Sequence, residues 1–377
     1  MELTGATNTN PEGTVWIPVT TLRAFSESAF TLLGLPEEDA RICTDVLISS
    51  DLRGIASHGV GRLKMYVDRI RAGMLEPVTR TEVVRDTPTI AVIDGHHGMG
   101  QVIAVRSMRL AIGKAKASGL GAVAVRNSSH FGIAGYYPLM AVAEGMVGLA
   151  ASNARPSVFP THGAQAMFGT NPIAFGVPSD EACPFLFDAA TAVAPRGKLE
   201  VHARAGKEIP SGWAADLTGT RATNTDAVLA GLDVGEYGLL PLGGLGEILG
   251  GHKGYGLATM VELLSAAFQG GAFLLDLASF TPDGAPRKQQ LGHFFLAMNI
   301  EAFDDPAAFR RRTGEILRAL RAAKRLPGAE RIYTAGEKEW EAEQRTLSRG
   351  VPANRKLQED LRAVREILGI IKPALPF

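Results

Sequence analysis

Histidine, serine and arginine lie close together in Ser57-His58-Gly59-Val60-Gly61-Arg62, the segment with the clearest potential for acid–base chemistry. A histidine titrates near neutral pH and can accept or donate a proton. An arginine four residues later can hold a carboxylate through two hydrogen bonds. The same spacing also fits a histidine that hydrogen-bonds across a turn between two helices, and the spacing alone favours this structural interpretation.

Three further segments contain groups that could bind a ligand. His130 lies in Arg126–Gly132, directly after a short apolar strand, where α/β proteins often bind ligands. Thr170 lies in FGTNP, whose short side chains and backbone amides can contact phosphate or amide groups. Lys253 and Gly254 lie at a predicted helix start that could hold an anion. Structural alternatives are a loop histidine, an ordinary turn and a glycine-rich helix cap.

The elements that position these residues form a mixed α/β pattern. Amphipathic helices are predicted near residues 20–33, 36–52 and 61–72, followed by a hairpin in TEVVR and TIAVID. Short apolar strands then alternate with polar loops, and the tail is helical and charged. We predict an α/β fold with an α+β-like mixed sheet and helical terminal segments. Residues 1–80 are expected to pack with the helices of 306–377, interwoven with a mixed α/β region at 81–305.

Composition excludes several classes of protein. The 377 residues carry 39 basic and 39 acidic side chains, which argues against a nucleic-acid partner. No apolar stretch is long and uncharged enough to predict a membrane span. The two cysteines, Cys43 and Cys183, and the polar N-terminus favour a cytoplasmic location. The eight histidines show no HExxH or similar ligand spacing, so no metal is expected.

Glycine motifs give no ordinary nucleotide site. Gly244–Gly250 has a GxGxxxG spacing before a helix, but the preceding strand candidate contains Pro241 and no βαβ unit follows. The segment is therefore predicted to be a loop that caps the helix. There is also no GxSxG elbow of the kind used by serine hydrolases.

Taken in order, the motifs resemble the second type of malate/L-lactate dehydrogenase family. The resemblance runs from about Ile17 to Ala363 and rests on these segments: DLRGIASHGVGRL, VRNSSHFGIAGYY, FGTNPIAFGVP, FDAATAVAPRGKLE, AGKEIPSGWAAD, LLPLGG, GGHKGYGLATMVELL and LPGAERIY. It implies a fold that binds NAD or NADP without a Rossmann domain, a homodimer, and hydride transfer to or from a small malate- or lactate-like 2-hydroxy acid. A cyclic ketimine reductase of the same family and a non-catalytic nicotinamide-binding protein are the alternatives.

The resemblance also implies roles for individual residues. His58 corresponds to the proton donor and acceptor, with Ser57 in its hydrogen-bond system, and His130 to a second histidine that acts as base or contacts the cofactor. Arg62, Thr170 and Arg155 correspond to substrate-binding positions. The residues implied in cofactor binding are His130, Phe131, Gly132, Ile133, Ala134, Phe185, Leu186, Phe187, Asp188, Ala189, Ala190, Thr191, Lys253, Gly254, Ala329, Glu330 and Arg331.

Overall fold

A computed structural model describes residues 13–204, 206–281 and 283–377. The chain divides into two compact units, one formed by the chain up to Arg69 with Glu339–Phe377 and the other by Ile70–Lys338. Within the described residues, no helix has both the length and the apolar character required to cross a lipid bilayer.

The strands and helices follow one another along the chain in this order: β1 (Val15–Ile17), α1 (Val19–Leu32), α2 (Glu37–Leu52), a 3-10 turn (Val60–Arg62), α3 (Leu63–Arg71), β2 (Glu82–Asp86), β3 (Ile90–Asp94), α4 (Gly100–Ser118), β4 (Leu120–Ser128), α5 (Tyr136–Ala143), β5 (Val147–Ser152), β6 (Ile173–Val177), β7 (Phe185–Ala189), α6 (Arg196–Arg204), β8 (Ala214–Asp216), β9 (Arg221–Ala222), α7 (Thr225–Val234), β10 (Tyr237–Leu239), α8 (Gly251–Ala266), β11 (Leu291–Met298), α9 (Pro306–Arg321), α10 (Glu337–Arg349), β12 (Val351–Ala353) and α11 (Arg355–Leu368). Short 3-10 turns also occur at Leu274–Leu277 and Ile300–Ala302.

The first unit is mostly helical. Its two short strands, β1 and β12, pair antiparallel and join the two ends of the described chain. Helices α1 and α2 pack together, and α1 buries Leu22, Phe25 and Phe30 as the apolar spacing predicts. Helix α1 begins at Val19 because Pro18, directly after β1, occupies the cap position and its carbonyl oxygen accepts a hydrogen bond from Leu22 N.

A seven-stranded sheet forms the centre of the second unit, in the order β2-β3-β4-β11-β5-β6-β7. Only β3 and β4 are parallel, and the other neighbouring strands of this sheet are antiparallel. The predicted hairpin is confirmed as β2 and β3. A Rossmann domain requires a doubly wound parallel sheet, so the predicted mixed, non-Rossmann α/β fold is confirmed.

Two strand ends in this sheet position the loops of interest. β4 and β5 are both antiparallel to β11, which lies between them, so they run in the same direction and end at the same edge. β4 ends at Ser128, two residues before His130, and β5 ends at Ser152, three residues before Arg155. The loops that carry His130 and Arg155 therefore begin near each other at one edge of the sheet.

Candidate active site

The Ser57–Arg62 segment of the first unit forms a tight turn after α2 and ends in the 3-10 turn Val60–Arg62. The hydroxyl of Ser50 donates to the Ile55 carbonyl oxygen at 2.7 Å, and His58 N donates to the same oxygen at 3.0 Å. Val60 N donates to Asp51 Oδ2 at 2.8 Å. Gly59 packs so closely on this carboxylate that a Cβ would lie 1.9 Å from Asp51 Oδ1. The end of α2 thus fixes the backbone of the turn.

His58, Ser57 and Arg62 meet within this turn. Ser57 Oγ lies 2.9 Å from His58 Nδ1, and Arg62 Nε donates to the Ser57 carbonyl oxygen at 2.6 Å. Burial, together with the positive charge of Arg62, lowers the pKa of His58 to about 4. The imidazole is therefore neutral at pH 7 and suited to accept a proton.

Asp51, at the end of α2, is a residue in contact with this turn that the sequence analysis missed. Burial raises the pKa of its carboxyl group to about 7, against the opposing effect of the hydrogen bond from Val60. An acidic residue at the end of an otherwise apolar helix face, just before the SHG segment, is the signal that could have identified it.

In the second unit, the predicted substrate residues Thr170 and Arg155 lie in neighbouring segments. Gly169 packs against Ala154, since a Cβ at Gly169 would lie 2.3 Å from the Ala154 carbonyl oxygen. Thr191, predicted to line the cofactor, donates its backbone N–H to the Thr170 carbonyl oxygen at 2.9 Å. The loop after β5, the FGTNP segment and the end of the β7 segment therefore meet in one place.

Arg155 lies in a cluster of charges. Its Nη2 is 3.6 Å from Asp233 Oδ1, an oxygen that also accepts a hydrogen bond from Arg196 Nη1 at 2.6 Å. Burial and the neighbouring Arg196 lower the pKa of Arg155. Arg196 Nε also lies 3.5 Å from Glu200 Oε1, so two guanidinium groups and two carboxylates balance each other in this cluster.

β7 is hydrogen-bonded to two of the other segments that are predicted to bind the cofactor, or to residues next to them. Gly135 N, which follows the His130–Ala134 run, donates to Asp188 Oδ2 at 2.7 Å. Leu186 N donates to the Ala335 carbonyl oxygen at 3.2 Å. This hydrogen bond links β7 to the segment that follows Ala329–Arg331. Arg331 itself stacks on the Tyr333 ring and pairs with Glu337 at 3.1 Å.

The start of α8 also reaches this region. Leu242 N donates to the Thr191 carbonyl oxygen at 2.9 Å, and Gly254 packs so tightly on Leu242 that a Cβ would lie 2.1 Å from its carbonyl oxygen. The N-cap is Gly250, in the left-handed region at φ 83°, and no side chain caps the helix. Lys253 is exposed in the first turn. The prediction that the glycine-rich loop caps this helix is confirmed.

These features fit a dinucleotide. A helix N-terminus without a side-chain cap presents backbone N–H groups to an anion, and the exposed lysine adds positive charge. The groups needed to hold a pyrophosphate are thus present on α8, close to the end of the β7 segment.

His130 is partly buried, and its Nδ1 accepts a long hydrogen bond from Gly132 N at 3.4 Å. Ser57, His58 and Arg62 belong to the first unit, whereas every other predicted site residue belongs to the second. Among the described residues, no cluster of three histidine, cysteine, aspartate or glutamate side chains could hold a metal ion.

A buried glutamate that the sequence analysis missed links the substrate loops to α8. Glu262 Oε2 accepts from Asn171 Nδ2 at 2.8 Å, and Oε1 accepts from Leu274 N at 3.0 Å and Asn153 Nδ2 at 3.4 Å. Burial raises the pKa of Glu262, and these hydrogen bonds oppose the rise. Asn171 belongs to the FGTNP segment and Asn153 to the loop of Arg155, but their common partner lies 91 residues from Asn171 and 109 residues from Asn153 in the chain.

An anion-suited helix terminus, a neutral histidine beside an arginine and a mixed, non-Rossmann sheet are compatible with a nicotinamide-dependent oxidoreductase. A sequence profile of the family described as malate/L-lactate dehydrogenase matches residues 17–362. The chain belongs to this family. It is therefore an enzyme, a dehydrogenase that acts on the CH–OH group of a hydroxy acid with NAD or NADP.

Three relatives illustrate the similarity. Malate dehydrogenase of Pyrococcus horikoshii is 43% identical over 359 residues, which cover 95% of this chain and 97% of the relative. L-sulfolactate dehydrogenase of Methanocaldococcus jannaschii is 37% identical, over 89% of this chain and 92% of the relative. The crystal structure of malate dehydrogenase from Entamoeba histolytica superposes with a TM-score of 0.93 at 40% identity, over 97% of this chain and all of that chain (100%).

Proposed function

We propose that the enzyme transfers a hydride between NAD or NADP and a small malate- or lactate-like 2-hydroxy acid, or its 2-oxo counterpart. The observation that carries this proposal is a neutral imidazole, His58, in contact with Ser57 and next to Arg62. A base and a carboxylate-binding group lie side by side, as oxidation of a 2-hydroxy acid requires.

In this proposal, Arg62 holds the substrate carboxylate and His58 moves the proton of the C2 hydroxyl. In the tautomer whose Nδ1–H donates to Ser57 Oγ, Nε2 carries the lone pair that accepts the proton during oxidation. The O–H electron pair forms the new carbonyl as the C2 hydride leaves, and the same proton returns during reduction. The bound nicotinamide supplies the acceptor or donor of that hydride.

We assign the cofactor to the segments around β7: His130–Ala134, Phe185–Thr191, Lys253–Gly254 and Ala329–Arg331. The amides at the start of α8 and the ammonium group of Lys253 would hold its phosphates. Thr170 and Arg155 are assigned to the substrate because their loops meet beside Thr191. His130 serves as a second histidine at the cofactor or the substrate.

A spectrophotometric panel tests this function. NADH and NADPH are each incubated with pyruvate, oxaloacetate, a bulkier 2-oxo acid and a cyclic ketimine, and the loss of reduced-nicotinamide absorbance is followed. We expect oxidation of the cofactor with at least one 2-oxo acid. Turnover of the ketimine alone would identify an imine reductase instead. Fluorescence quenching on cofactor binding, without turnover of any substrate, would favour a non-catalytic nicotinamide-binding protein.

We also propose that the enzyme is a cytoplasmic homodimer. Cys43 and Cys183 are thiols rather than a disulfide pair, which suits a reducing compartment. Apolar side chains are exposed on and next to α8, including Leu263 at 55% and Phe273 at 52% exposure. They line an apolar cavity of about 520 Å³ that a second copy of the chain could cover. A small-molecule acid remains the expected substrate, and neither nucleic acid nor membrane is an expected partner.

A further inference from the structure

His293 lies in β11 with its ring completely buried between the ends of two other strands. Its Nδ1 is 2.9 Å from Ser152 Oγ at the end of β5, and its Nε2 is 2.7 Å from Ser128 Oγ at the end of β4. The pairing of β11 with β4 shifts register between Leu291 and His293. Irregularities of this kind often redirect a side chain next to a functional site.

The surrounding hydrogen bonds indicate which nitrogen of the His293 ring carries a proton. Ser152 Oγ donates its proton to the Asn153 carbonyl oxygen at 2.8 Å, so it accepts from His293 Nδ1–H. Burial lowers the pKa of His293 to about 3, against hydrogen bonds with the Ser129 and Gly292 backbones that raise it, so the ring is neutral at pH 7. With the proton on Nδ1, Nε2 carries a lone pair to which Ser128 Oγ donates.

The two serines lead directly into the loops that the proposed function uses. Ser128 is followed by the segment of His130, and Ser152 by the segment of Arg155. The imidazole also stacks on Phe131, with ring centres 4.5 Å apart and planes 9° from parallel. One ring thus contacts both strand ends and the residue next to His130.

We propose that His293 is a positioning residue that holds the His130 and Arg155 loops in the geometry required for turnover. The inference rests on the proposed function, since it assigns a purpose to those loops. Other buried residues of β11, such as Phe295 and Ala297, are apolar. Burying a polar network costs desolvation free energy, which an apolar side chain would avoid. A polar network whose members are all hydrogen-bonded, however, fixes a unique arrangement of the segments that it links.

The double variant S128A/H293F tests this role. Phenylalanine retains the stack on Phe131, and alanine removes the hydroxyl that would otherwise lose its acceptor, so the Tm should stay close to that of the wild type. The Ser152 bond to Asn153 is retained. We expect kcat with the 2-oxo acid to fall about tenfold or more, because misplaced groups lose rate steeply. The KM for the cofactor should also rise, because the loosened loop includes His130–Ala134, which is assigned to the cofactor.

V123A is the matched control. Val123 is buried in the middle of β4, five residues before Ser128, so its truncation weakens the same sheet without contact to either serine. Its Tm should fall while kcat stays near the wild-type value. A loss of kcat in V123A equal to that in the double variant would overturn the positioning role.

Hydrogen–deuterium exchange separates this inference from the proposed function. In S128A/H293F we expect faster exchange in peptides 129–135 and 153–158 than in the wild type. Unchanged exchange in both peptides, or a wild-type kcat despite faster exchange, would contradict the inference. If the wild type turns over no substrate of the panel, the proposed function fails. The positioning role for turnover fails with it, and exchange then decides only whether His293 orders the loops.

Discussion

The burial of His58 and the charge of Arg62 next to it determine how the proposed chemistry responds to pH. Arg62 disfavours the imidazolium form, and burial does so more strongly, which together lower the pKa to about 4. A substrate carboxylate on Arg62 would offset that positive charge and raise the pKa of His58 in the complex. In the free enzyme His58 is therefore neutral and can accept a proton. Bound substrate restores the capacity of His58 to donate one.

The two reaction directions should therefore show opposite pH dependence. Oxidation requires neutral His58, so its kcat/KM should fall only as the pH is lowered towards about 4. Reduction requires the protonated ring, so its kcat/KM should rise as the pH is lowered from about 8 to about 5. Initial rates in both directions across this range provide the measurement.

The R62M variant tests the effect of Arg62 on this pH profile. Removal of the positive charge favours imidazolium, so the acid limb of kcat/KM for oxidation should move to higher pH, towards the ordinary histidine value of about 6.5. The overall rate should also fall, since the carboxylate loses its partner. An acid limb that stays in place in R62M would contradict the assigned effect of Arg62 on His58.

At the scale of elements, the end of α2 determines the shape of the catalytic turn. Asp51 accepts the hydrogen bond of Val60 N, and its carboxylate occupies the space that a side chain at residue 59 would need. The proposed catalytic groups thus depend on a carboxylate that does not itself belong to the SHG segment.

Two glycines of the turn should respond differently to the same substitution. G59A would place a Cβ 1.9 Å from Asp51 Oδ1, so the carboxylate or the turn must move. A displacement of about 1 Å can cost about 100-fold in rate, and we expect a loss of kcat/KM of that order. At Gly61 a Cβ would meet its nearest neighbours at 3.8 Å, so G61A should retain kcat/KM within about threefold.

Steady-state kinetics and circular dichroism of the two variants measure this difference. Both variants should retain the wild-type circular dichroism spectrum. Equal kcat/KM for G59A and the wild type would show that the contact between Asp51 and Gly59 does not position His58.

For the whole molecule, the exposed apolar side chains around α8 bear on assembly. Leu257, Met260 and Leu263 recur every three residues along this helix and are exposed, as is Phe273 beside them. Contiguous apolar surface of this kind typically marks a contact between proteins. The proposed homodimer would bury it.

L263E should weaken such a dimer by placing a charge in an apolar contact. We expect light scattering coupled to gel filtration to report twice the chain mass for the wild type and a lower mass for L263E at low concentration. L320E is the matched control, because Leu320 on α9 is exposed to a similar extent at 54%. A wild-type enzyme that elutes as a monomer would contradict the dimer.

The sequence predicted those features that depend on neighbouring residues. Helix α1, the β2–β3 hairpin and the glycine cap of α8 each follow from local spacing and are confirmed. The contact of Ser57 with His58 also lies within one short segment. The roles of the site residues and the division into residues 1–80 with 306–377 and 81–305 stay predictions.

Features formed by distant parts of the chain could not be predicted. β11 inserts between β4 and β5 although it lies more than 130 residues after both, and no local pattern specifies that order. Its His293 reaches Ser128 across a separation of 165 residues. The sequence alone does not show that His293 is a buried histidine with hydrogen-bond partners, because the hydroxyl groups that contact it lie far away in the chain.

The most direct measurement for the central claim compares the wild type with H58Q. Reduced-nicotinamide absorbance gives kcat with the best 2-oxo acid of the panel, and fluorescence quenching gives the Kd of the cofactor. General acid–base catalysis contributes about 10²- to 10⁴-fold, so kcat of H58Q should fall by that factor. The cofactor Kd should stay within about twofold, because the cofactor is assigned to other segments. Turnover by H58Q within about tenfold of the wild type would show that His58 does not move the proton.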